Sequence, residues 1–194
     1  SEALILADET ADPRYLAADI LARCEHGSDS AGVVATANAE LAQKVKEEVE
    51  RQAPLLSRQQ YIVEALKNYS AILVFDSDDE VIDFANEYMA EHLEIQMKDA
   101  RSLLPRIRNA GAVFLGDYAP VAVGDYASGT NHSLPTGVAA GFASAINVGT
   151  FQKKMEYQYL TKEGLENLKP IVETISDVEG LDAHKRSVQI RFES

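Results

Sequence analysis

Apolar residues in this chain follow two rhythms. Short, nearly continuous apolar runs at Ala3–Ala7, Gly32–Thr36, Ala71–Phe75, His92–Met97 and Ala112–Leu115 read as strands. Between them the apolar spacing lengthens to three and four. Leu16, Ile20 and Cys24 share a helical face, with Asp12-Pro13 as cap and first-turn proline and His26-Gly27 as the stop. Asn38 can cap a second helix with the stripe Leu41, Val45 and Val49; Glu40 and Lys44 pair on its flank, and Pro54 breaks it. Tyr61–Lys67 reads as a further helical piece. Ser77 with Glu80 matches a capping box, backed by Val81, Phe84, Ala85 and Tyr88. Ala100–Arg108 reads as another helix. Apolar strands alternating with helices predict an α/β fold, a parallel sheet covered by helices.

After Leu115 the pattern changes. Residues 116–150 are rich in Gly, Ala, Ser and Thr, with Pro120 and Pro135, and predict a long irregular stretch of the kind that carries function. Order resumes at Phe151. Tyr157–Leu160 reads as a strand, Lys162–Val178 as a helix and Val188–Phe192 as a final alternating strand. A boundary near 147 divides the chain into an α/β domain, 1–147, and a small C-terminal helical and strand appendage, 148–194.

Composition narrows the function classes. The 194 residues carry a formal net charge of −13, which disfavours nucleic-acid binding. No apolar run approaches the ~20 residues of a membrane-spanning helix. Glu2, Asp8 and Glu9 stand where a signal peptide needs a basic region. Cys24, the one cysteine, excludes an internal disulfide framework and fits a reducing compartment. The chain opens at Ser1, without methionine, directly on an apolar strand, so it is expected to be a piece of a longer protein.

Four histidines carry the candidate chemistry: His26 at a helix end, His92 between a helix and a strand, His132 in the polar stretch and His184 near the C-terminus. None lies in the middle of an apolar run, so none is expected as a packed core residue; surface positions are the plain alternative. Glu91-His92 sets a carboxylate beside an imidazole, a group that exchanges protons near neutral pH. An ordinary helix-end pair would look the same. Gly124 to His132 is a glycine-bounded polar loop holding Asp125, suited either to ligand contacts or to a structured surface. It lacks the glycine spacing of a phosphate or dinucleotide loop. Glu179 and His184, with His26 and Asp125, offer nitrogen and oxygen donors that would suit zinc, although they match no compact zinc spacing.

Taken together, these segments resemble the histidinol dehydrogenase family. The resemblance runs through Ser1–Asp8, Cys24-Glu25-His26-Gly27, Glu91-His92-Leu93-Glu94-Ile95-Gln96, Arg106–Gly111, the Gly124–Pro135 loop and Glu179–His184. It covers the C-terminal part of the family, somewhat under half its length. It implies an incomplete Rossmann-like sheet, with the NAD-contacting residues in an N-terminal portion outside this chain. It further implies a zinc-dependent cytoplasmic homodimer that oxidises L-histidinol through L-histidinal to L-histidine with NAD. His92 matches the general base and Glu91 the carboxylate that activates water. His26, Asp125 and His184 match zinc ligands, with His184 reaching the partner subunit's site. Ser1, His132 and Glu179 match substrate-contacting positions, together with His26, His92, Asp125 and His184. By the same resemblance this piece alone is expected to be inactive. A paralogue acting on another alcohol, such as a sulfonated diol, and a non-catalytic module are the alternatives.

One position departs from the family. Its remaining zinc ligand is a glutamine three residues before the histidine, and here that residue is Arg23. A guanidinium has no lone pair for a metal. A unit charge about 4 Å from a cation costs roughly 4 kcal/mol per unit of metal charge at an effective ε of about 20. The expectation is that Arg23 swings out and water fills the vacant ligand position. The competing reading has Arg23 contact an anionic substrate group directly.

Overall fold

A computed structural model describes residues 1–193. The chain forms two compact units, Ser1–Phe151 and the residues from Gln152 onward. The first unit is built on five parallel strands: β1 (Glu2–Ala7), β2 (Ala31–Thr36), β3 (Ala71–Val74), β4 (His92–Gln96) and β5 (Ala112–Leu115), in the order β3-β2-β1-β4-β5. The connections hold α1 (Pro13–Cys24), α2 (Ala39–Gln52), α3 (Gln59–Asn68), α4 (Asp78–Tyr88) and the short α5 (Ala100–Leu103). The order reverses between β1 and β4, giving the doubly wound arrangement.

Alternate strand residues serve two cores. Leu4, Leu6, Val33, Ala35, Leu93 and Ile95 pack with Val81, Ile82 and Ala85 of α4. Ile5, Ala7 and Val34 pack with Leu16, Ile20, Leu21 and Cys24 of α1, Leu41 and Val45 of α2, and Ile62 of α3. Because Leu93 and Ile95 point to the α4 side, strand alternation sends His92, Glu94 and Gln96 to the other. All three are buried, so β4 carries a polar stripe inside the molecule. His92, expected outside the core, is 2% exposed.

The helix ends follow local chemistry. Asp12 caps α1 by accepting from Arg14 N, Asn38 caps α2 by accepting from Leu41 N, and Ser77 caps α4 by accepting from Glu80 N. Pro105 limits the expected 100–108 helix to α5 and one 3-10 turn, Leu104–Arg106. Within the long irregular stretch lies a two-turn helix, α6 (Val121–Tyr126), so Gly124, Asp125 and Tyr126 sit on a helix and not in a loop.

The second unit is helical: α7 (Lys162–Glu179) and α8 (Asp182–Gln189), joined at Gly180 in the left-handed conformation (φ 70°). Neither strand expected there forms. Tyr157–Leu160 has no regular structure, and Val188–Phe192 is the end of α8 and a 3-10 turn. A strand needs a ladder partner, and α8 instead folds back on α7. Lys185 Nζ donates to Asp177 at 2.7 Å and Gln189 Nε2 to Glu173 at 2.8 Å. Among the described residues, no helix is long and apolar enough to cross a membrane.

Candidate active site at the amino edge of the sheet

The register Ala3↔His92 sets the starts of β1 and β4 side by side. Ser1 and Glu2 therefore lie against Glu91 and His92. Helix α1, leaving the carboxyl end of β1, runs back to the same edge and delivers Arg23 in its last turn, with His26 just beyond. A cation is favoured at this negative helix end. Helix α6 brings Asp125. Its first turn is held by Glu94, whose Oε1 accepts from Val121 N at 3.2 Å. Ser1, Arg23, His26, Glu91, His92, Asp125, Tyr126 and His132 line one cleft of about 490 Å³.

The Glu91-His92 pair is tightly oriented. Glu91 Oε2 accepts from Ser1 Oγ at 2.8 Å and from Glu2 N at 3.0 Å. His92 Nδ1 lies 3.0 Å from the carbonyl oxygen of Glu2. A carbonyl only accepts, so Nδ1 carries the hydrogen and Nε2 the lone pair. Nε2 has no hydrogen-bond partner among the described residues and lies 3.8 Å from Asp125 Oδ1. The ring stacks on Phe114, centroids 6.1 Å apart. Burial, and then the Arg23 charge, hold the His92 imidazole below its usual range, so it is neutral at pH 7. The same two causes lower His26.

Arg23 does not swing out, contrary to expectation. It is 4% exposed; Nη1 donates to Ser1 Oγ at 2.8 Å, and Nη2 lies 3.9 Å from Asp125 Oδ2. Buried guanidinium is held only where carboxylates balance it, and here Asp125 directly and Glu91 through Ser1 do so.

A zinc ion does not fit beside Arg23, whose guanidinium offers no lone pair and repels a dication. In the first unit the donors the resemblance names come down to His26 and Asp125, and Asp125 already faces a fixed cation. Among the described residues no three His, Cys, Asp or Glu side chains converge on a metal position. Glu179 and His184 are exposed residues of the second unit, Glu179 ending α7 and His184 in α8. Nor does a dinucleotide pyrophosphate fit the carboxyl edge of the sheet. The hollow there is lined by Asp8, Glu9, Asn38, Ser77 and Asp78, and its carboxylates would repel phosphate.

Further participants were not assigned from the sequence. Glu2 receives the backbone N–H groups of Glu91 (3.3 Å) and Gly137 (3.2 Å) on Oε1, tying the 133–141 segment to the cleft. Phe114 supports the His92 ring. Buried Glu94 and half-buried Asp19 form an acid pair bridged by Gln96 Nε2, at 2.9 and 2.8 Å. The alternation His-Leu-Glu-Ile-Gln was the available signal for that inward stripe.

A family model described as histidinol dehydrogenase matches residues 1–192. The chain is 47% identical over 193 residues to histidinol dehydrogenase of Vibrio parahaemolyticus, covering 100% of this chain and 44% of that protein. It is 46% identical over 192 residues to the enzyme of Methanosarcina mazei, covering 99% of this chain and 44% of that one. The crystal structure of histidinol dehydrogenase from Elizabethkingia anophelis superposes with a TM-score of 0.91 at 39% identity, over 98% of this chain and 44% of that structure. The chain thus spans under half the length of these relatives. A match of this extent, in sequence and in fold, establishes that the chain belongs to the histidinol dehydrogenase family.

Proposed function

We propose that this chain supplies the proton-handling half of an NAD-linked enzyme that oxidises L-histidinol through L-histidinal to L-histidine, in the cytoplasm and as a homodimer. The observation that carries the reading is the lone pair on His92 Nε2, unpartnered and turned toward a cleft that Glu91 shares. An alcohol gives up a hydride only as its hydroxyl proton leaves, and a neutral imidazole at the cleft takes that proton. NAD, when bound, supplies the hydride acceptor; no described residue is assigned to hold it. The aldehyde must then add water before a second oxidation. Glu91, fixed by Ser1 Oγ and Glu2 N, is the carboxylate placed to draw a proton from that water. Its position one residue from His92 lets the two groups serve successive half-reactions at one carbon. Asp125, 3.8 Å from His92 Nε2, stabilises the imidazolium formed after proton transfer. His132 borders the same cleft as a substrate contact, and Glu179 and His184 of the second unit are assigned to substrate by the family resemblance.

The test uses the natural full-length protein, following NADH formation from L-histidinol and separately from L-histidinal. His92→Asn is expected to lose about 10²–10⁴ in kcat on the alcohol with little change in KM. Glu91→Gln is expected to lose a similar factor on the aldehyde while alcohol oxidation persists. Equal, small losses in both variants on both substrates would refute the assignment.

A further inference from the structure

We infer that Arg23 is the fixed cation of this cleft, standing where a metal ion would otherwise hold Asp125, and that the cleft binds a protonated amino alcohol without a metal. The inference deepens the proposed function, on which it rests for the cleft being the reacting site. Arg23 is buried, and its guanidinium reaches both carboxylates. Nη2 faces Asp125 Oδ2 at 3.9 Å, and Nη1 donates to Ser1 Oγ, which in turn donates to Glu91 Oε2, each step 2.8 Å. A metal ion needs lone pairs at this point, and a guanidinium has none. A dication beside it would meet direct repulsion across a partly desolvated site. The permanent charges then decide the ligand. Among the groups that line the cleft, one guanidinium stands against two carboxylates, Glu91 and Asp125, leaving one negative charge in excess. A ligand with one ammonium group completes the balance. An anionic alcohol would add a second uncompensated negative charge, so the direct contact of Arg23 with a substrate anion is disfavoured.

Metal content tests this without reference to turnover. The natural full-length protein, Arg23→Gln and Arg23→Lys are dialysed against zinc, desalted and analysed by elemental mass spectrometry, with circular dichroism to verify folding. Wild type and Arg23→Lys are expected to hold under about 0.1 zinc per chain, and Arg23→Gln about one, since an amide oxygen restores a donor. About one zinc per wild-type chain would overturn the inference. So would an Arg23→Gln protein as zinc-free as wild type, because Arg23 would then not be what keeps the metal out. In the second arm, L-histidinol is titrated calorimetrically in the presence of a chelator, beside the analogue lacking the amine. Histidinol is expected to bind about tenfold more tightly or better, the worth of one partly desolvated ion pair. Equal binding, or no histidinol binding with the chelator present, would overturn it. Histidinol bound without zinc but never oxidised would refute the proposed function and leave this inference standing.

Discussion

Glu94 carries the most perturbed proton affinity near the cleft. Burial, and then the neighbouring Asp19 carboxylate, push it up to about 8 from 4.5, and burial raises Asp19 as well. One proton shared between the two neighbouring carboxyls accounts for both directions. The folded state therefore holds a proton that the unfolded chain releases near pH 4.5. Its stabilising contribution is complete below that value and is lost as pH rises toward about 8. A single proton gives a slope of at most about 1.4 kcal/mol per pH unit in this window. Glu94→Gln keeps an acceptor for Val121 N but cannot ionise. Its urea midpoint should vary less between pH 5 and 8 than that of wild type; parallel curves would show that Glu94 is not the linked group. At this scale the sequence was partly informative. Glu91, His92, His26 and Asp125 were legible as a resemblance, and the structure gathers them at one edge. The direction of Arg23 was not legible, because it is decided by Ser1 and Asp125, which only the folded sheet brings to it.

Elements place these groups, and their ends are set by single residues. Helix α1 runs from its Asp12 cap to Arg23 in its last turn. Asp12→Ala removes the acceptor for Arg14 N and should cost about 1 kcal/mol, a fall in Tm of roughly 2–4 °C for a chain of this size. Glu40→Ala breaks only a solvent-facing pair with Lys44 and should leave Tm within about a degree. Equal effects in thermal denaturation would show that α1 is held by packing alone. The elements most legible in the sequence were those whose information is local. All five sheet strands appear as apolar runs, and α1, α2 and α4 through caps and stripes. Helix α6 was missed because Gly124 interrupts its pattern and a distant side chain, Glu94, satisfies its first turn. The strand expected at Val188–Phe192 failed for the converse reason. Its alternation was real, but no neighbouring strand pairs with it, and the contacts of Lys185 and Gln189 with α7 favour helix.

On the scale of the molecule, the candidate site residues collect at the amino edge of the sheet, while the carboxyl edge, where doubly wound proteins usually bind ligands, is acidic. The inversion has a simple source. Glu91-His92 and Ser1-Glu2 precede their strands, and α1 returns to that edge carrying Arg23 and His26. Glu179 and His184 belong to the second, helical unit. Between the last 3-10 turn of the first unit, Val148–Phe151, and α7, residues 152–160 are exposed and lack regular structure. Lys153 and Lys154 lie there, whereas Lys44, Lys46, Arg51 and Lys67 are held in helices. Trypsin requires an extended, accessible backbone, so limited digestion should cut first after Lys153 or Lys154. The larger product keeps both cores intact and should retain its circular dichroism, because every residue of those cores precedes Phe151. A first cut between β1 and β5, or loss of the dichroism signal with the first cut, would show that the sheet unit depends on the helical segment for its fold.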